Sequence, residues 1–246
     1  MSRTTDRPST ADARPPARRP RRTRAVRRTV AHLRRLGQLK RTVIMFTSDN
    51  GYYLGHRKRT GKITLHEPSL RVPLVIAGPG VPRGRRYDPV TTVDLAPTIA
   101  SYAGTTMPGA DGASILPTIR RDQGWRRPVV TEGMMGFGRY AEEYELGREP
   151  LDTRGLRLGR WKLIRYSTGE AELYDLLTDP LELRNLVRVP RHAGAVRAMK
   201  GLYERYHDCR GAQCQVALPD QWQLTPAESR RLTRHQIRAT NCYFGN

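Results

Sequence analysis

The chain has 246 residues and a formal charge of +21, from 44 Lys and Arg against 23 Asp and Glu. Three cysteines are too few for a disulfide scaffold, and no run of 18 apolar residues could span a membrane. The basic N-terminus is not followed by the apolar core of a secretion signal. Because arginine accounts for all but five of the cations and is spread along the chain, the charge alone does not indicate nucleic-acid contacts.

Residues 1–28 are the most basic part of the sequence. They contain ten arginines and four prolines, and Val26 is their only Val, Leu or Ile. Because such a segment cannot bury enough apolar surface to offset its ordering entropy, we predict that it is disordered. A basic nucleic-acid-binding arm is the alternative, but the aromatic residues that stack on single-stranded bases are missing. We therefore predict no specific nucleic-acid partner and no membrane partner.

Residues 29–150 alternate helix and strand signals, which predicts the main part of an α/β domain. Residues 42–47 are continuously apolar, which is typical of a strand buried on both faces. The predicted elements, in chain order, are a helix from Thr29 to Gly37, strands at residues 42–47 and 72–77, a helix from Asp94 to Gly104 and a strand at residues 128–131.

Residues 151–208 show a different pattern of secondary-structure signals. Short strand signals at residues 156–158, 161–166 and 172–174 are separated by turn residues, which predicts an antiparallel meander. A helix is predicted at residues 191–208. We therefore predict an antiparallel α+β subdomain that ends in this helix, followed by an irregular tail at residues 209–246.

Polar residues that can do chemistry follow the first predicted strand. Asp49 and Asn50 stand at its carboxyl end, where ligands gather in open α/β sheets, and their oxygens suit Ca²⁺ or Mg²⁺. His56 and Lys62, in the loop that follows, add a proton donor and a fixed cation. The alternative is that Asp49-Asn50-Gly51 is simply a turn, which these residue types form readily.

The same residues belong to a longer, ordered set of motifs that resembles the sulfatase family of the alkaline-phosphatase superfamily. The resemblance runs from about Thr29 to Cys214 and corresponds to roughly the C-terminal half of a complete sulfatase. The matching motifs are Thr42–Gly51, Leu54–His56, Gly61-Lys62, Glu67, Arg71–Leu74, Gly78–Gly80, Val93–Ile99, Trp161–Ile164, Glu172–Leu176, Asp179-Pro180, Glu182 and Asn185-Leu186.

The resemblance implies a partial alkaline-phosphatase-like sheet and hydrolysis of a sulfate ester to an alcohol and sulfate. Asp49 and Asn50 match two of the four oxygen ligands of a divalent cation, usually Ca²⁺. His56 and Lys62 match groups that bind the ester and assist departure of the alcohol oxygen, although one residue usual in the family is missing between Gly55 and His56. The implied substrate is a sulfated small molecule or sugar. Relatives are typically secreted or periplasmic, whereas this sequence shows no export signal, so its localisation stays open.

A larger departure concerns the nucleophile. Sulfatases attack with a formylglycine made from the Cys or Ser of a Cys/Ser-x-Pro-x-Arg motif, and the sequence contains neither this motif nor the Asp-Asp pair that supplies the other metal ligands. We therefore predict that this polypeptide is a truncated form that is inactive by the family mechanism. Two further alternatives are a phosphomonoester or phosphonate ester hydrolase of the same superfamily and a non-catalytic remnant.

Two smaller sets of residues also have alternative interpretations. Cys209 and Cys214, with His207 nearby, could hold zinc. Their similarity to a late cysteine pair in secreted bacterial sulfatases implies a disulfide instead. For His66, beside Glu67, we expect a role in packing rather than in ligand binding.

Overall fold

The structure is a computed structural model that describes residues 19–62, 64–135 and 151–243. It forms two compact units. The first contains the described residues up to Met45 together with Ile76–Pro79, and the second contains Phe46–Val75 and the chain from Gly80 onward. In the part of the chain that is described, no helix is both long and apolar enough to cross a membrane.

The first unit begins with helix α1 (Arg19–Arg35). Its end is a Schellman cap: Gly37 has φ +66°, and the amides of Gly37 and Gln38 donate to the carbonyls of Arg34 and Leu33. The prediction of disorder was therefore wrong for residues 19–28, while residues 1–18 lie outside the described part. Arginine is a good helix former and a proline is tolerated in the first turn, so this segment forms a helix without a wide apolar face.

The predicted strands at residues 42–47 and 72–77 appear as β1 (Ile44–Phe46) and β4 (Val75–Ala77), which pair with each other. The burial on both faces predicted for residues 42–47 was wrong, because Phe46 is 46% exposed; Val75 of the partner strand is 58% exposed. Among the described residues no third strand joins this pair, so neither of its outer edges has a strand partner there.

The second unit is built around a four-stranded antiparallel sheet. Its order is β5 (Val129–Met135), β6 (Leu151–Leu158), β7 (Trp161–Tyr166) and β8 (Ala171–Asp175). The predicted meander is confirmed, but it has one more strand than expected. The strand predicted at residues 128–131 is the start of β5, which pairs with β6 from Val129↔Arg157 to Met135↔Leu151. The domain boundary expected at residue 150 therefore cuts through this sheet, because a half-buried strand looks the same in sequence whichever sheet it joins.

Helices and a small hairpin complete the second unit. The predicted helices at residues 94–104 and 191–208 are confirmed as α3 (Leu95–Tyr102) and α5 (Ala193–Tyr206). The remaining bounds are β2 (Tyr53–Leu54), β3 (Thr60–Gly61), α2 (Glu67–Leu70), α4 (Leu116–Arg120) and α6 (Pro226–Tyr243), with short 3-10 turns at residues 39–41, 56–58, 92–94, 190–192, 211–215 and 220–222.

Helix α6 contradicts the irregular tail predicted at residues 209–246. Thr225 and Glu228 form a capping box, in which the Glu228 carboxylate accepts the Thr225 amide at 2.8 Å and the Thr225 hydroxyl accepts the Glu228 amide at 3.3 Å. The buried face of the helix contains Ser229, Leu232 and Gln236. Because two of these three side chains are polar, the sequence shows little apolar periodicity.

The sheet is covered on both faces. On one face, Leu156, Leu158, Leu163 and Leu173 form a core with residues of α5, among them Met199. On the other face, Leu65 packs with Ile164, Tyr174 and Leu176. Since Leu65 lies two residues before the start of α2, the sheet anchors the segment that follows the predicted substrate loop.

Candidate active site

The chain bends at Asp49, just after β1. The Ser48 hydroxyl donates to the Asn50 carbonyl at 2.9 Å, and the Asn50 amide donates to Asp49 Oδ1 at 3.0 Å. The Asp49 side chain is exposed. These hydrogen bonds are local to the bend, and the Asp49 carboxylate is accessible at the strand end.

Gly51 packs the residues after this bend against α2. Its amide donates to the Ser69 carbonyl at 2.8 Å, and a Cβ at this position would lie 2.0 Å from the Pro68 carbonyl oxygen. Only glycine allows two backbone segments to approach so closely without displacement. The glycine after Asp49-Asn50 is thus required by the packing against α2.

A small hairpin carries the predicted anion-binding residues. Strands β2 and β3 pair through Tyr53↔Gly61 and Leu54↔Thr60. In the tight connection between them, Arg57 and Lys58 have φ values of 55° and 56°, which is uncommon for residues other than glycine. Such backbone conformations persist only where the surrounding contacts hold them.

Lys62 and Asn50 are brought together by this hairpin. Lys62 Nζ donates to Asn50 Oδ1 at 2.8 Å, and the lysine side chain is exposed. A cation therefore lies directly beside one of the two predicted metal ligands. This arrangement places a positive charge next to oxygen donors at the carboxyl end of a strand.

His56 has different surroundings from Lys62. The ring is 1% exposed, and its Nε2 donates to the Leu181 carbonyl at 2.8 Å. Burial lowers the pKa of His56, with the Leu181 hydrogen bond and the Glu182 charge acting in the opposite direction. The ring is therefore neutral near pH 7 and carries its proton on Nε2.

A buried ionic network behind the hairpin was not predicted as part of the site. Arg157 Nη1 lies 2.8 Å from Glu67 Oε2, and Lys162 Nζ lies 3.1 Å from Glu67 Oε1 and 2.8 Å from Glu182 Oε1. Burial acts to raise the pKa of Glu67, but the charges of Arg157 and Lys162 outweigh it and hold that pKa below its ordinary value. Sequence motifs included Glu67, Lys162 and Glu182, but nothing in their spacing indicated that they meet.

His66 lies in a second buried cluster, in keeping with the expected packing role. Its Nδ1 bonds Thr64 Oγ1 at 2.9 Å and its Nε2 bonds Glu172 Oε2 at 2.9 Å. Burial acts to raise the pKa of Glu172, but hydrogen bonding and charge from His66 lower it to about 2, with help from Tyr174 and Arg57. His66 therefore links the chain before α2 to strand β8.

The residues that the structure describes do not bring together a complete metal site. No group of three or more His, Cys, Asp or Glu side chains in this part of the chain could hold a metal ion. Asp49 and Asn50 supply adjacent hard oxygen donors, the type that Ca²⁺ and Mg²⁺ prefer. They fit two of the roughly six to eight oxygens that Ca²⁺ takes.

Cys209 and Cys214 form a disulfide, the pairing that the resemblance implied. His207 does not join them as a third ligand, because its Nδ1 bonds the Tyr203 carbonyl at 3.0 Å and its ring stacks on Tyr203. The bridge closes the segment just after α5.

Comparison with known proteins identifies the family. Residues 55–208 match the sequence model of a family described as N-sulphoglucosamine sulphohydrolase, C-terminal. The chain belongs to the sulfatase family. A choline-sulfatase of Rhizobium meliloti (strain 1021) is 37% identical over 163 residues, which are 65% of this chain and 30% of that protein.

Solved structures agree with an alkaline-phosphatase-like sulfatase fold. A protein solved in complex with its substrate D-glucosamine-2-N,6-O-disulfate has a TM-score of 0.63 and 26% identity, covering 74% of this chain and 37% of its own. A phosphonate monoester hydrolase from Silicibacter pomeroyi has a TM-score of 0.64 and 26% identity, covering 81% of this chain and 42% of its own. The sulfatase chain described here spans about a third of the length of the curated relatives it matches.

Proposed function

We propose that this chain carries two parts of the active site of a sulfuric ester hydrolase. One is the end of β1, where Asp49 and Asn50 would bind a metal ion, and the other is the loop that binds the anionic ester. The observation that supports the proposal most directly is the 2.8 Å contact between Lys62 Nζ and Asn50 Oδ1. It places a cation beside an oxygen of the kind that binds metal ions. A bound sulfate monoester needs the cation and the metal on the same side of its sulfonyl group. Membership of the sulfatase family supports the proposed role of this pair.

The charge distribution of ester cleavage explains these residue types. Negative charge spreads over the sulfonyl oxygens and builds on the leaving oxygen as the S–O bond breaks, and preorganised cations stabilise both. In the proposal, Lys62 contacts the sulfonyl group and His56 serves the leaving oxygen. Since the Nε2 proton of His56 is bound to Leu181, donation to the leaving group requires the ring to exchange that partner.

A divalent cation, which we propose to be Ca²⁺, would be held in part by the Asp49 carboxylate and the Asn50 carboxamide. When bound, it would supply Lewis-acid stabilisation of sulfonyl charge. The protein's own contribution is to position these two residues. The Ser48 hydroxyl donates to the Asn50 carbonyl just after β1, and Gly51 packs closely on α2. With two ligands, the affinity of this chain for Ca²⁺ is expected to be weak.

Turnover by the formylglycine route needs a nucleophile that this sequence does not contain. None of its Cys or Ser residues has Pro two positions later and Arg four positions later. We therefore propose that the 246-residue chain binds a sulfate ester without hydrolysing it by that route. The proposed ester is a sulfated small molecule or sugar, supported by the choline-sulfatase relative and by the neighbour solved with a glucosamine disulfate.

The test is a titration of the purified chain with inorganic sulfate at constant ionic strength, followed by NMR or calorimetry. Lys62→Ala is expected to weaken sulfate binding by about tenfold or more, because a charge-assisted contact is lost. Lys58→Ala is the matched control, since Lys58 is an exposed lysine of the same hairpin. An equal loss in both variants, or no saturable binding to the wild type, would contradict the proposal. Measurable aryl sulfate hydrolysis that Lys62→Ala abolishes would contradict the absence of turnover.

A phosphonate or phosphate monoester is the second candidate, favoured by the similarity to phosphonate monoester hydrolases. These esters carry the same kind of tetrahedral anion, so Lys62 could contact either. Competition between methylphosphonate and sulfate for the wild-type chain distinguishes them. Preferential displacement of sulfate by methylphosphonate at equal concentration would favour this second candidate.

A further inference from the structure

A turn at residues 179–184, which we call the 179–184 turn, reaches from the antiparallel sheet to the candidate site. Asp179 holds its shape, with Oδ1 and Oδ2 accepting the amides of Leu183 at 3.0 Å and Arg184 at 2.8 Å. Within it, Glu182 is fully buried and has φ 56°. A buried glutamate in this conformation costs free energy, so the surrounding contacts must hold it there.

The turn contacts the hairpin that carries Lys62. The Leu181 carbonyl accepts His56 Nε2 at 2.8 Å, and the next carbonyl, that of Glu182, accepts Arg57 Nη1. Consecutive carbonyls therefore hold consecutive residues of the hairpin loop. These two residues include the strained Arg57, whose positive φ needs such support.

The Glu182 side chain fixes the other end of the same segment. Its Oε2 accepts the amide of Glu67 at 2.7 Å, at the first residue of α2. Its Oε1 lies 2.8 Å from Lys162 Nζ on β7, which also contacts Glu67. The segment from Arg57 to Glu67 is thus attached at both ends to Glu182, which is itself tied to β7, one of the two inner strands of the sheet.

We infer that Glu182 is the positioning residue of the candidate site: it holds the hairpin that presents Lys62 and orients His56 through the 179–184 turn. This inference rests on the proposed function, because Lys62 matters only as an anion contact. Glu182 does not touch the proposed ester, and its effect is exerted through His56, Arg57 and Glu67.

The experiment compares Glu182→Ala and Glu182→Gln with Asp175→Asn in the full chain. Asp175 is also a buried carboxylate of the antiparallel unit, but it is bound by Arg160, Thr178 and the Leu177 amide rather than by the hairpin. Amide exchange at Lys58 and Arg59, which donate to the Gly55 and His56 carbonyls, reports on the hairpin. We expect exchange there to rise at least about tenfold in Glu182→Ala and less in Glu182→Gln, with Leu163 in the sheet unchanged.

The His56 ring gives a second readout, which separates loss of the Glu182 charge from loss of the ring's position. Near it, the charge of Glu182 raises the pKa of His56, while the charges of Arg57 and His66 lower it. Loss of the carboxylate alone would therefore lower this pKa further. If Glu182 positions the ring, Glu182→Ala exposes it and NMR titration shows the pKa of His56 rising toward 6.5.

The outcomes separate this inference from the proposed function. A fall in the pKa of His56 with unchanged amide exchange, or equal effects in Asp175→Asn, would overturn the positioning role. If Glu182→Ala does not fold, amide exchange in the hairpin and the pKa of His56 in Glu182→Gln test the positioning role instead. Loss of hairpin order in a chain that never binds sulfate through Lys62 would support the positioning role and contradict the proposed function instead.

Discussion

Arg157 Nη1 lies 2.8 Å from Glu67 Oε2, which joins strand β6 to the first residue of α2 across 90 residues of sequence. Both side chains are largely buried, at 15% and 13% exposure. Arg157 also donates to Gln236 of α6 at 2.9 Å and lies over the Trp125 ring. One guanidinium therefore connects the sheet to three other parts of the second unit.

Removal of this guanidinium should be strongly destabilising. Arg157→Ala is expected to lower the free energy of unfolding by about 3–5 kcal/mol, because it leaves the buried Glu67 carboxylate with less compensation. Arg154→Ala, on the same strand, is the matched control. Its ion pair with Asp152 is 3.6 Å long, with the two side chains 33% and 55% exposed, so a loss below about 1 kcal/mol is expected. Urea unfolding at pH 7 measures both, and similar losses would argue against the network.

His56 predicts a pH dependence of stability. Its pKa is lowered in the folded state, so the unfolded chain binds the proton more tightly. The stability that the neutral ring contributes is therefore present above pH about 6.5 and is lost as the pH falls below that value. His56→Gln removes the titration, and its stability should change less between pH 7.5 and 5.5 than that of the wild type.

His32→Gln is the control for this pH dependence, because His32 is exposed on α1. Its unfolding curves should follow those of the wild type over the same pH range. An unchanged slope in His56→Gln would mean that other groups account for the loss of stability at low pH. Chemical denaturation at several pH values distinguishes the two cases.

Local signals predicted much of the fold, whereas contacts between distant segments were missed. Strand and helix signals predicted β7 and α5, and the strand-end motif included both Asn50 and Lys62, whose contact across 12 residues the structure shows. The contacts of Glu182 with Arg57 and Glu67 span 125 and 115 residues. Polar residues that pair in the interior carry no periodic pattern, so their partners appear only once the chain is folded.

The orientation of the His56 side chain could not be predicted from the sequence motif. The resemblance to sulfatases implied that His56 contacts the ester, but the residue missing after Gly55 left the orientation of the His56 side chain undetermined. In the structure the ring is buried and bound to Leu181. A one-residue change in a tight loop alters which way each following side chain points, and spacing to Lys62 alone could not reveal this.

Gly51 predicts a sharp difference between two glycine substitutions. Gly51→Ala should destabilise the chain by more than about 2 kcal/mol, because its Cβ would lie 2.0 Å from the Pro68 carbonyl oxygen and force the turn away from α2. Gly201→Ala in α5 is the control, since a Cβ there meets nothing within 4 Å. It should stabilise the chain by roughly 0.5–1 kcal/mol through helix propensity. Thermal unfolding of both variants measures the difference, and a neutral Gly51→Ala would contradict the close packing.

The Cys209–Cys214 bridge is tested by mass and by stability. Intact mass with and without reductant should differ by the two hydrogens of one disulfide. Because the bridge closes a loop with a sequence separation of 5, replacing both cysteines with serine should lower stability by only about 2 kcal/mol. Since the Nδ1 of His207 is bound to Tyr203, added zinc should not restore stability to the reduced chain. Recovery on adding zinc would instead support the metal site that the sequence left open.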